Sequence, residues 1–469
     1  MHPKQARLII FGCILLAAAI ACNAPGLGNL PATLDVESVV SATLTALSTA
    51  DAPATEPVPA QTPLSADPTL IPIPSESNTP APAPEDVQPG TVHVAYINEG
   101  NIYFWSEGGV PNQLTFDGGA NEILLSGDTS IVAFVRSFDF LNYEIWAVNS
   151  NGSDERRLVS LDDFNAIETD EFAIGVAPNM VAWVPETHSI AFNTFPLYEG
   201  PGLALNGDLH IVNADSGEFF TFLDPNNYGQ FFYSSDGSEI ALVNPENISL
   251  ISSNGDNLRS NVLPYEPVIT YSEYLYHARP IWSPDNSFLR VVLPPMDPLA
   301  DPQQRTTVWH IPADGSRPNR IGEFFTAPFF FASLDYEPLS ADLNHFAYLE
   351  EIGDPVGNTR DLHIVDLDSA SDVVYTSGQF LEFQSWAPDS ERFAYSTENG
   401  APLLGQVGHA PVPLTDDPNA IIASWVDPTR IIFYSGNEPW ELRLGFAGGT
   451  STIIDIISGG FRPSYDFQN

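Results

Sequence analysis

The sequence predicts an all-β chain built from a repeated four-strand unit, and three observations predict it. Glycine and proline are abundant, 33 and 42 of 469 residues, where helix-rich folds use few of either. Aromatic residues make up 11% of the chain, and Val, Ile and Thr recur in the short runs that suit pleated surfaces. Beyond residue 90 two kinds of hairpin alternate at regular spacing. Charge then removes partners: 60 acidic against 16 basic side chains give a formal net charge of -44, which repels phosphate backbones and anionic headgroups. Nucleic acid is not expected to bind. The single lysine, Lys4, lies in a segment expected to be removed, so phosphate-loop and Schiff-base lysine chemistry are excluded.

Residues 1–21 read as a signal peptide: Lys4 and Arg7 precede an uncharged apolar run from Leu8 to Ile20, too short for a spanning helix and closed by small residues. The closing Ala19-Ile20-Ala21-Cys22 resembles the lipobox of bacterial lipoproteins. That resemblance implies a lipid on Cys22 and an extracytoplasmic protein at the bacterial membrane or cell surface, touching the membrane through the anchor alone. Cys13 falls inside the signal, so no disulfide is expected. Residues 22–90 are rich in Pro, Thr and Ala and cannot bury a core; they read as a disordered tether with a reach of up to ~150 to 200 Å. Leu34 to Ser48, poorer in Pro, could form a short helix within it.

Residues 91–469 carry the repeat. One hairpin has an aromatic residue, a tight polar turn and an apolar strand, as in Trp282-Ser283-Pro284-Asp285-Asn286-Ser287 and Trp386-Ala387-Pro388-Asp389-Ser390, with weaker copies at Leu125, Trp183, Tyr233, Leu339 and Trp425. The other reverses at Asn151-Gly152, Asp215-Ser216-Gly217, Asn254-Gly255 or Asp314-Gly315, where positive φ is needed. Its copies start near 102, 145, 209, 248, 308, 362, 403 and 442, a spacing of about 48 residues that suits one four-stranded propeller blade. Seven complete first hairpins leave one unit split between Arg462 to Phe467 and Val92 to Tyr96, so the termini are expected to pair and close a ring of eight blades, with seven as the alternative.

The aromatic-Ser-Pro-Asp-Gly pattern alternating with Asn-Gly or Asp-Gly turns resembles the WD40-like repeat of TolB-type periplasmic propellers; dipeptidyl-peptidase propellers carry related repeats. The resemblance covers about 380 residues and implies a binding scaffold with no shared catalytic set.

Candidate sites divide by their place in the repeat. Trp183, Trp282, Trp386, Trp425 and Tyr465 recur in one slot and read as packing between blades. His210 and His363 share Asp-Leu-His-Ile-Val, with His310 one position out of register; equivalent positions in separate blades do not converge, so no metal site is expected. Asp366, Asp368, Asp372 and the Asn213 to Glu218 cluster read as turns rather than calcium loops. No Gly-x-Ser-x-Gly elbow occurs in the sequence, and no hydrolase domain is expected beside the repeats. The long connections, 160–179, 193–207, 264–278, 295–306 and 350–360, all fall on one face, where binding is expected. They supply the candidate ligand-binding residues Asp162, Asp163, Glu168, Asp170, Tyr198, Tyr265, Tyr271, Tyr274, Tyr276 and His277, whose rings suit sugars or proteins and whose carboxylates suit cationic ligands or calcium. No other cofactor is expected. The expectation is a monomeric, non-catalytic scaffold for a protein or envelope glycan; the alternatives are a glycan lyase or hydrolase with paired carboxylates in the central funnel, or a glycan-binding module.

Overall fold

The computed structural model describes residues 90–469 apart from 138, 200–205, 226–228, 273, 329–336, 354–358, 398–399, 437 and 459–463. The segment read as a signal peptide, Cys22 and nearly all of the segment read as a tether lie outside the described residues, as do Arg462 and Pro463. Eight antiparallel sheets follow one another along the chain as the blades of a propeller. Blade 1 combines Tyr465–Gln468 with His93–Asn98, Asn101–Ser106 and Asn112–Gln113. Blades 2 to 8 occupy residues 120–159, 175–223, 230–264, 281–324, 339–379, 382–413 and 420–457. Seven sheets have four strands; blade 6 has three, and Leu339 bridges Phe346 where the innermost strand of its neighbours lies. The third strands begin at Asn101, Tyr143, Leu209, Asn247, Thr306, Thr359, Pro402 and Trp440, in step with the repeat read from sequence.

The ring closes as expected. Tyr465–Gln468 pairs antiparallel with His93–Asn98, with Tyr96 opposite Tyr465 and His93 opposite Gln468. Strand alternation sends side chains to both faces of every blade, so each blade buries apolar residues against two neighbours. The core is therefore divided among eight seams. Val94, Tyr96, Ile432 and Leu442 fill the seam between blades 8 and 1, and Phe134, Ile102 and Leu125 the seam between 1 and 2. The largest cluster, with Phe164, Phe192 and Ile190, lies between blades 2 and 3.

The Ser-x-Asp turn of the first hairpin has a direct physical reason. Asp285 Oδ1 accepts from the Ser283 hydroxyl (2.7 Å), the Ser287 hydroxyl (2.7 Å) and the Ser287 N–H (3.1 Å), while Ser283 Oγ also receives the Phe288 N–H. Asp128, Asp236 and Asp342 do the same with Ser126, Ser234 and Ser340. One residue per turn lies in the left-handed region: Gly237 at φ 68, but Thr129 at φ 62 and Glu186 at φ 60 in degenerate copies. A β-branched residue is strained there. Thr129→Gly is expected to raise stability by up to about 1 kcal/mol, read as a higher urea midpoint at unchanged slope.

Two devices sew the seams. Tryptophans reach back: Trp282 Nε1 donates to Phe232 O (3.0 Å), Trp386 Nε1 to Pro338 O (3.0 Å) and Trp425 Nε1 to Ser385 Oγ (3.1 Å). Tyr465 does this work from a different register: it opposes Tyr96 at the far end of its strand, and its hydroxyl meets Ser424 Oγ (2.7 Å). The shared slot expected for it is therefore corrected, although its packing role stands. Arginines reach forward to carbonyls of the next blade: Arg156 to Ala214, Arg259 to Ala313, Arg290 to Leu343 and Arg392 to Pro428. Arg430 completes the series by pairing with Glu107 of blade 1 (2.7 Å) while holding Asp427 (2.6 Å).

One seam has an ionisable clasp. His188 of blade 3 bonds Asp215 through Nδ1 (2.9 Å) and Asp128 of blade 2 through Nε2 (3.1 Å). Burial pulls its pKa down, but the bonds to Asp215 and Asp128 outweigh burial and raise it. A raised histidine stabilises fully below the unfolded value of about 6.5, and that contribution disappears as pH climbs through the higher folded value. The melting-temperature gap between wild type and His188→Ala is accordingly expected to be widest below about pH 6.5 and to shrink as the pH rises past it.

Candidate functional site

Hairpin turns joining strands one to two and three to four form one face, and the longer connections form the other. The sequence between Val159 and Gly175 is not wholly a loop, as its composition suggested: Leu161–Asn165 is a helix. Ser160 caps it, accepting from the Asp163 N–H, while Asp163 Oδ2 receives the Ser160 N–H (2.8 Å) and hydroxyl (2.6 Å). Phe164 is fully buried between blades 2 and 3, which anchors the insertion. The strands Gly175–Trp183 and Ser189–Leu197 also extend into the stretches read as connections.

This helix and the chain after it wall a cleft of about 790 Å³ on blade 3. Asp163, Glu168, Asp170 and Tyr198 line it together, with Asp224 and Asn206. Asp162 is exposed on the first helical turn and does not line the cleft. The Tyr198 hydroxyl donates to Asp170, whose other oxygen accepts the Phe172 N–H (2.8 Å). These bonds hold the Asp170 carboxyl below its ordinary range, and burial with the Asp170 bond pushes Tyr198 up to about 12. No arginine or lysine lines the cleft, so its field favours positive charge.

His210 and Thr221 also line the cleft, as part of a polar chain that the sequence did not reveal. Asp208 accepts from the Thr194 N–H (2.8 Å) and hydroxyl (2.6 Å) and bonds His210 Nε2 (2.9 Å); His210 Nδ1 meets Thr221 Oγ1 (3.1 Å). Asp208 and His210 are fully buried. Burial would raise the Asp208 carboxyl, but the His210 and Thr194 bonds outweigh it and lower it. The signal was the repeated Asp-Leu-His, since His363 in blade 6 takes the same place, stacked on Tyr348 and bonded to Asp372 (2.8 Å).

The other candidates sit on blades 4 and 5, and the structure divides them. Tyr265 and Tyr276 turn inward onto the seam between these blades, Tyr265 donating to Asn244 O and Tyr276 to Val292 O. Burial raises both, Tyr265 to about 12. His277 lies against the Gly229 backbone, and burial lowers its pKa; Tyr274 is half-buried. Tyr271 alone of the group is widely exposed, and its hydroxyl donates to Asp297 (2.8 Å) across two connections that are also joined by Ile269 N–H to Met296 O. In the same two connections Ile269, Leu275, Met296 and Leu299 are exposed apolar side chains, with the Asp297 carboxylate among them. Phe140 and Phe172 are exposed as well. Large apolar side chains in these connections were the available signal.

Among the described residues no three His, Cys, Asp or Glu side chains gather as a metal-holding group. Asp366 accepts the Asp368 and Ser369 N–H groups and Asn213 those of Asp215 and Ser216, which is turn chemistry.

No protein-family model matches the chain, and no curated protein matches its sequence. Solved structures that resemble it include a lyase, the propeller domain of a protease and TolB. An oligogalacturonate lyase in complex with manganese is 15% identical, with 74% of this chain and 82% of that one covered and a TM-score of 0.41. The propeller domain of the Trilobed protease from Pyrococcus furiosus is 10% identical, covering 73% and 99% at a TM-score of 0.43. TolB from Acinetobacter baumannii is 12% identical, covering 60% and 69% at a TM-score of 0.29. The propeller assignment rests on sheet order and ring closure, and likenesses at this level do not separate the neighbours' functions.

Proposed function

We propose that the protein is a non-catalytic scaffold, lipid-anchored through Cys22 outside the cytoplasm, that binds a protein partner through its long-connection face. The observation that carries this reading is the exposed set Ile269, Tyr271, Leu275, Met296 and Leu299, held in place by bonds between two connections on a rigid blade pair. Soluble chains rarely leave such a group uncovered, and the Asp297 carboxylate among them favours a partner with apolar knobs and a basic rim. Sugars would instead require upward-facing tyrosines, whereas Tyr265 and Tyr276 are engaged in the seam.

The test is a pull-down from a cell-envelope lysate with the full chain as bait, beside Leu275→Glu and Leu299→Glu, both at exposed positions. A defined protein retained by the wild type and reduced at least about tenfold by either change supports the reading. Retention indifferent to both changes, or binding to a glycan array in place of protein, overturns it.

A further inference from the structure

On the opposite face, a slot of about 750 Å³ opens where blades 1, 2 and 3 meet. Its walls are Leu124 and Leu125 of blade 2, Trp183 to His188 of blade 3, and Asp466 and Gln468 of blade 1. The backward tryptophan bond is missing here. Trp282, Trp386 and Trp425 each find an acceptor in the preceding blade, but Trp183 Nε1 is buried without one, as is the Tyr233 hydroxyl on the other side of blade 3. The innermost strand of blade 2 is instead tied toward blade 1: Asp466 Oδ2 accepts the Leu125 N–H (2.7 Å) and Gln468 Nε2 donates to Leu125 O (3.3 Å).

The chemistry of the slot is lopsided. Three carboxylates, Asp128, Glu186 and Asp466, line it, and no arginine or lysine does. Asp128 is already held by Ser126, Ser130 and His188, whereas Glu186 is exposed at the rim. Asp466 accepts backbone N–H groups from Leu125 and Phe467, yet burial still raises its carboxyl. An indole wall beside a carboxylate rim complements a flat cation carried on a peptide. We propose that this slot binds an arginine side chain of a partner segment, the guanidinium lying on Trp183 between Glu186 and Asp466. This site is separate from the long-connection face and does not depend on its function.

The test uses the full chain labelled with ¹⁵N at its indoles and titrated with acetyl-Gly-Arg-Gly-amide or its citrulline counterpart. Trp183→Phe assigns the Trp183 resonance. The expected result is a saturable shift of that resonance with the arginine peptide, about tenfold weaker with citrulline and in Glu186→Gln, while the indoles of Trp282, Trp386 and Trp425 stay in place. No Trp183 shift up to about 10 mM peptide, an equal response to citrulline, or unchanged binding in Glu186→Gln overturns the proposal. Leu275→Glu serves as control: it leaves the arginine titration unchanged whatever it does to the pull-down.

Discussion

Deleting Tyr465–Asn469 is expected to abolish the cooperative thermal transition of the propeller. The five residues supply the innermost strand of blade 1 and put Tyr465 and Phe467 into the seam with blade 8, beside Tyr434 and Ile432. Truncating one large buried aromatic costs roughly 3–5 kcal/mol, so losing two, together with a strand ladder, approaches the whole stability of an ordinary domain. The deletion also removes the Asp466 and Gln468 bonds to Leu125, loosening blade 2 as well. His93–Asn98 would then present an unpaired edge, which favours association between chains. Near-UV circular dichroism and light scattering read both effects. A sharp transition within a few degrees of wild type would mean that the ring is held by its other seams alone.

The second large effect is a contrast between two tryptophans in one slot. Trp386→Phe is expected to destabilise by about 0.5–1.5 kcal/mol, because the ring is largely kept but the Nε1 bond to Pro338 O is lost, that carbonyl keeping the Ala347 N–H. Trp183→Phe removes an N–H that has no acceptor, so its cost is expected to stay within about 0.5 kcal/mol of the packing change alone. Chemical denaturation of both variants at one pH measures the difference. Equal costs would show that the indole N–H bonds do not govern the seams.

The blades were legible because their turns are local chemistry. Asp285, Asn254-Gly255 and Asp314-Gly315 declare a reversal from their own side chains, and the strands between them follow by counting. Ring closure was legible for the same reason, since one incomplete unit stood at each end. What was hidden depends on distances between blades. Trp183 and Trp386 are alike in sequence, yet only the spacing of neighbouring inner strands decides which indole finds an acceptor. Tyr265 and Tyr276 share a connection with Tyr271, but whether each ring faces a seam or water depends on the shape of blades 4 and 5. The helix at Leu161–Asn165 was signalled by Ser160 and Asp163 at capping spacing, a motif easily read as mere acidity. Asp208 was overlooked because its neighbours Asn206 and His210 do not by themselves mark it as buried, and Thr194, which holds both its oxygens, comes from the preceding strand.

The forward-reaching arginines also set how the ring meets acid and alkali. A guanidinium keeps its proton across the whole range in which proteins stay folded, and the carbonyls of Ala214, Ala313, Leu343 and Pro428 have none to lose. Those fastenings are therefore blind to pH. The His188 clasp between blades 2 and 3 is not, and it stands at the slot lined by Trp183 and Asp466. A rise in pH would loosen the grip of these two neighbouring blades at the His188 joint and leave the four arginine-to-carbonyl fastenings in place.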